Sequence, residues 1–284
     1  KMVLESGFVV EGEGGYELTG PLPSLSIPAT LRDSLLARLD RLGPAKDVAQ
    51  LGAVLGREFS YEMLQAVGPG DEATLRRDLA QLVDAGLLLP RGQPPAATYT
   101  FKHALIQEAA YELLLTSTRR QHHQRVAVTL AERFPEVADT RPELLAHHFT
   151  QAVLVEPAVT YWLQAGRRAV GRSANVEATD HARQGLALVE DVPPSPQRDA
   201  LELALQATLG SATIALKGYG AAEVEQAFGR ALALCERLGD PVQLFRSLHG
   251  LWTYYVVRAD YDKAIELADR LVRLAEMPAR TAPR

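Results

Sequence analysis

The sequence predicts a mainly α protein, in which one small β-hairpin separates a compact set of short helices from a long run of helices alone. Three observations carry that expectation. Leu87–Leu89 and Ala97–Phe101 are apolar or alternating runs joined by RGQPPA, whose turn residues read as a β-hairpin. Upstream, three stretches with helical spacing are closed by Gly or Pro punctuation. Downstream of Thr118 the apolar residues recur only with the helical period.

In chain order, Lys1 to Ser6 reads as a helix tail ended by Gly7, so the sequence is expected to be part of a longer one. Phe8–Glu11 and Tyr16–Thr19 flank the glycine-rich EGEGG, the pattern of a small hairpin. PLPSLSIPAT is too proline-rich for regular structure. Thr30 is the expected N-cap of LRDSLLARLDRL, where Leu31, Leu35, Leu39 and Leu42 form one stripe closed by Gly43-Pro44. Leu31, Leu35 and Leu39 are expected to lack partners that a longer chain supplies. A helix follows over Ala45–Leu55. Ser60 caps a short one ending near Val67, and Asp71 starts a third through Ala85, with Leu75, Leu79, Leu82 and Val83 on one side and Gly86 as its stop. Three short helices and then a hairpin is the order of a winged helix.

RRQHHQRVAVTLAERF reads as one helix stopped by Pro135, and PELLAHHFTQAVLV as the next, stopped by Pro157. Trp162, Gly166, Ala169, Ala178, Ala182 and Gly185 then fall at the offsets of a tetratricopeptide (TPR) helix pair, where small residues let the two helices approach. Gly210 opens a second pair, interrupted by KGYG, with Ala227 and Ala231 on its second helix. In a third, Leu248, Trp252 and Tyr255 face Ala264, Ala268 and Leu271. Gly166, Gly210 and Gly250 recur after 44 and then 40 residues. The usual repeat is about 34, so these repeats are degenerate. The terminal PARTAPR has no apolar periodicity and is expected to fray. The fold class expected is thus a winged helix with a small β-hairpin followed by a TPR-like helical array. The divisions are 1–43, 44–135 (the winged helix and the helices after it) and 136–284.

Composition narrows the function classes. A net charge of −5 argues against a surface that coats nucleic acid. A single cysteine, Cys235, excludes an internal disulfide and suits a reducing cytosol. No apolar run reaches bilayer length and no secretory leader is visible, so a cytoplasmic protein is expected. The sequence has no phosphate-binding loop, no zinc-spaced Cys/His set and no nucleophile elbow, so it shows no active site. In His122-His123 and His147-His148, neighbours point to different helix faces, so one of each pair is expected buried and one solvated. Arg119, Arg120, Arg125, Arg167, Arg168 and Arg172 read as solvated helix faces. The third helix of the winged-helix block, DEATLRRDLAQLVDAG, sets two arginines against Asp71, Glu72, Asp78 and Asp84. That balance is wrong for reading DNA, where phosphate neutralisation supplies much of the affinity.

The strings IPATLRDSLLARLDRL, AQLGAVLGREFS, YTFKHALIQEAAYELL, PELLAHHF and YWLQAGRRAVGRSAN resemble a group of large bacterial signalling proteins. In that group a class III adenylate/guanylate cyclase domain precedes a STAND-type (AAA-related) ATPase, a winged helix and a TPR-like array. The resemblance implies that residues 1–43 are the C-terminal tail or lid of the ATPase module. It places no cofactor in this stretch, and ATP or ADP with Mg in a module before residue 1. The partners it implies are that module and a protein or small effector on the array, whose concave face is the expected binding surface. The charge balance and the lack of a bilayer-length apolar run make nucleic acid and membrane unexpected partners. The function implied is regulatory and non-catalytic, coupling nucleotide state to a helical sensor. Some relatives carry a DNA-binding output instead of the cyclase, which makes a STAND-class transcription regulator the alternative.

STAND switch proteins also end their winged helix in a Met-His-Asp motif, whose histidine contacts the β-phosphate of bound ADP. Phe101-Lys102-His103-Ala104-Leu105 falls at the matching place. The resemblance gives His103 the phosphate contact and Lys102 a weaker one, while Ala104 replaces the aspartate that would support the histidine. An imidazole suits the task because it donates a hydrogen bond to an anionic oxygen at neutral pH. The other reading of His103 is a cap on the following helix or a packed residue.

Overall fold

The computed structural model describes residues 9–12, 15–18, 29–68 and 70–276. The protein is mainly α, with a winged helix carrying a small antiparallel sheet and then a TPR-like helical array. It divides into two compact units, Lys1–Leu115 and Thr116–Arg284. The expected helix tail at Lys1–Ser6, most of PLPSLSIPAT and the PARTAPR terminus lie outside the described residues.

In the first unit, β1 (Val9–Gly12) and β2 (Gly15–Leu18) form the expected hairpin, with Val9 opposite Leu18. Helix α1 (Ala29–Asp40) begins one residue ahead of the expected cap. Leu39 has a partner after all: it is fully buried, and α1 packs on α5 (Ala104–Glu112). Helix α2 (Ala45–Leu55) buries Ala45, Ala49, Leu51, Ala53 and Val54. A short strand that the sequence reading missed follows, β3 (Glu58–Ser60). Three residues are too few to show alternation. Ser60 ends β3 and caps α3 (Tyr61–Val67), its hydroxyl accepting from the Met63 amide at 3.1 Å. Asp71 caps α4 (Glu72–Asp84) in the same way through Thr74. Gly86, at φ +64°, then turns the chain into β4 (Leu88–Arg91) and β5 (Thr98–Phe101).

The sheet order is β3-β5-β4, all antiparallel, with Phe59 opposite Tyr99 and Leu88 opposite Phe101. Phe59 leans on Phe101, ring centroids 5.8 Å apart, and covers Gly52 so closely that a Cβ there would sit 2.7 Å from the ring. Leu64, Leu79, Leu82, Leu87 and Leu88 complete this core. Each contributes about 1.5–3 kcal/mol of burial.

The second unit is a succession of helices, each packed on its neighbour. It runs α6 (Thr116–Arg133), α7 (Pro135–Thr140), α8 (Pro142–Gln151), α9 (Val155–Gly171) and α10 (Asn175–Val189). It continues with α11 (Pro196–Lys217), α12 (Ala222–Leu238), α13 (Pro241–Val257) and α14 (Tyr261–Glu276). Pro157 does not stop α8, contrary to the sequence reading. It lies inside the first turn of α9, where the backbone N–H it lacks would have had no helical partner. Pro135 likewise opens a helix, α7. The three TPR-like pairs are α9–α10, α11–α12 and α13–α14, and their small residues sit at the crossings. Gly185 lies under Leu205, and Gly210 and Gly250 both lie against the ring of Phe228. Within the second pair, Glu202 of α11 is buried and accepts a two-pronged ion pair from Arg230 of α12 at 2.5 and 2.9 Å.

Candidate functional site

The junction from β5 into α5 is built by backbone. The Phe101 amide donates to the Arg57 carbonyl at 2.9 Å, and the Lys102 amide to the Leu87 carbonyl at 3.0 Å. Gln107 pins α5 to α2 by donating to the Ala53 carbonyl at 3.1 Å. His103 occupies the N-cap position in an extended conformation, but its side chain caps nothing; it is exposed, as is Lys102. The helix-cap and packed readings of His103 both give way to a solvent-facing imidazole on a fixed backbone. Arg57, which nothing in the sequence singles out, adds an exposed guanidinium at the same end of the sheet as Lys102 and His103. Nothing in its local pattern marks it, because its place beside Phe101 is set by strand pairing.

On α4, the helix a winged helix would present to DNA, Arg76 pairs with Glu72 at 2.6 Å and Arg77 with Asp78 at 3.1 Å. Its guanidiniums are spent on its own carboxylates.

The two histidine pairs meet in the second unit. His123 of α6 and His148 of α8 are each 1% exposed, and their Nδ1 atoms lie 2.8 Å apart. Exposed His147 lies edge-on to both rings. A bond between two Nδ1 atoms requires one ring to carry its proton on Nδ1 and the other on Nε2. Burial, with the charges of His147, Arg119 and His122 adding to it, lowers His123 to about 4. Burial, reinforced by His123 and His147, lowers His148 to about 3. Both are therefore neutral at pH 7, a clasp between two helices. Among the described residues no group of three or more His, Cys, Asp or Glu side chains is arranged to hold a metal ion. Burial also raises the Cys235 thiol, which keeps it an inert core side chain.

A cavity of about 200 Å³ opens where the first helices of the three TPR-like pairs come together. Arg167 and Val170 of α9 line it, with Ala204, Ala207, Thr208 and Ser211 of α11 and Gln243 and Arg246 of α13. In the sequence Arg167 reads only as part of a solvated face, and Gln243 and Arg246 carry no signal of their own. No helical periodicity links positions on separate repeats.

No helix among the described residues is long and apolar enough to cross a membrane. The chain matches no protein-family model. It is 29% identical over 246 residues to an uncharacterized protein of Rhizobium meliloti (strain 1021), a match covering 85% of this chain and 24% of that protein. The chain thus spans about a quarter of its relative's length. A solved structure, BtubC (BKLC) from P. vanneervenii, aligns over 89% of this chain and 95% of its own, at 13% identity and a TM-score of 0.27.

Proposed function

We propose that this chain is a regulatory, non-catalytic part of a STAND-type signalling protein. In this reading it couples the nucleotide state of an ATPase module elsewhere in the same protein to a helical array that binds a partner or effector. The parent's output is a nucleotide cyclase. The observation that carries the reading is His103: an exposed imidazole at the strand-to-helix junction, on a backbone held by Phe101 and Lys102, whose side chain makes no cap hydrogen bond to the following helix. The cationic side chains of Arg57 and Lys102 at the same end of the sheet fit an anionic phosphate. The ATPase module would supply the ATP or ADP site with Mg, and His103 would donate a hydrogen bond to the nucleotide's β-phosphate. Partner binding on the array would shift the switch only through its differing affinity for the two states.

The test is ADP dissociation from the complete protein, comparing His103 with His103→Ala. A hydrogen bond to a charged group is worth about 1.5–3 kcal/mol, so release should speed up by roughly tenfold or more. Unchanged release would remove His103 from the nucleotide site and leave the chain as a partner-binding platform.

A further inference from the structure

The groove between Arg167 and Arg246 has a chemistry of its own. Its floor is α11, which offers Ala204, Ala207, Thr208 and Ser211, side chains short enough for an extended backbone to lie against. One wall is α9 with Arg167, the other α13 with Gln243 and Arg246. Both arginines are exposed, and among the described residues neither has an ion-pair or hydrogen-bond partner. Arg198 of α11 is by contrast committed to Asp199, Glu202 and the Val189 carbonyl, and Arg230 and Arg237 of α12 to Glu202 and Asp199. No acidic side chain lines the groove. Two guanidiniums from separate repeats, with an amide beside one of them, thus face a channel that carries no counter-charge.

Resting on the reading of the array as a partner-binding sensor, we propose that this groove docks an acidic linear peptide, two of whose side-chain carboxylates pair with Arg167 and Arg246. Guanidinium and carboxylate match as two parallel hydrogen bonds, so each arginine takes one carboxylate. Gln243 can both donate to and accept from the peptide backbone between them. Nucleic acid fits less well. Its affinity comes from many phosphate contacts, and single strands need aromatic platforms for stacking, whereas the groove offers two cations and no aromatic lining.

The test uses the 284-residue chain and fluorescence anisotropy of a labelled peptide alternating Glu and Ser. Its Gln/Ser counterpart, a Ser-phosphorylated peptide and a single-stranded oligonucleotide are run beside it at low ionic strength, where surface charges are least screened. The Glu peptide is expected to bind and the Gln peptide not to. Arg167→Gln and Arg246→Gln should each weaken binding about tenfold or more, while Arg273→Gln on α14 leaves it unchanged. Matching thermal melts for all three variants exclude loss of fold. No binding of the Glu peptide, equal loss with Arg273→Gln, or tighter binding of the phosphopeptide or oligonucleotide would overturn the proposal. The peptide is read without nucleotide and ADP release without peptide, so either result can fail while the other stands.

Discussion

Phe228 of α12 lies across Gly250 of α13 so closely that a Cβ on Gly250 would stand 2.8 Å from the ring. Gly210 of α11 meets the same ring at the same distance. One aromatic side chain, 6% exposed, therefore sets the spacing of three helices, and the two glycines are the space it occupies.

Gly250→Ala is accordingly expected to destabilise the array, although alanine is the better helix former by about 1 kcal/mol. Overpacking of a tight crossing costs about 1–3 kcal/mol, and here the atoms in the way belong to a ring that is itself hemmed in. Thermal unfolding should show a lowered Tm. Adding Phe228→Leu should return part of the loss, giving a favourable coupling in a double-mutant cycle. Additive losses would mean that ring and glycine do not constrain one another.

The clasp between His123 and His148 predicts a pH dependence with a definite sign. Unfolded imidazoles take up protons near 6.5, whereas the folded pair does so near 4 and near 3. As pH falls, the unfolded chain is protonated first, so the clasp's contribution is complete above about 6.5 and is lost progressively toward 4 and below. Urea unfolding between about pH 7.5 and 4.5 should show stability falling with acid. The double variant His123→Leu/His148→Leu should fall less steeply over the same window.

The single variant His123→Leu, measured at neutral pH, leaves the buried His148 without its 2.8 Å Nδ1 contact. Its expected cost is about 1–3 kcal/mol. The double leucine variant should be closer to the native protein than the sum of the two single variants, because no buried ring nitrogen of the pair is left to satisfy.

Arg230→Met tests the ion pair between the two helices of the second repeat pair. Glu202 is buried and keeps only Arg198 at 4.0 Å once Arg230 is removed. Loss of a charge-assisted bond should cost about 1.5–3 kcal/mol. Because Glu202 lies on α11 and Arg230 on α12, hydrogen exchange should accelerate first in that pair of helices.

The sequence by itself determined most of the helices, the wing hairpin and the repeat pairs, because these follow from local signals: Ser60 and Asp71 as caps, Gly86 as a stop, and alternation in Ala97–Phe101. It erred at Pro157, since a proline that ends one helix and a proline in the first turn of the next leave the same mark. Tertiary structure alone decided the rest. Strand β3 exists because β5 offers it an edge, and Arg57 thereby comes to the end of the sheet that carries His103. His123 meets His148 because α6 packs on α8, and Arg167 shares a groove with Arg246 because α11 lies between their helices. A period of 3.6 residues says which face a side chain takes on its own helix. Which other face it meets is fixed by how whole helices pack, and that depends on the small residues at each crossing taken together.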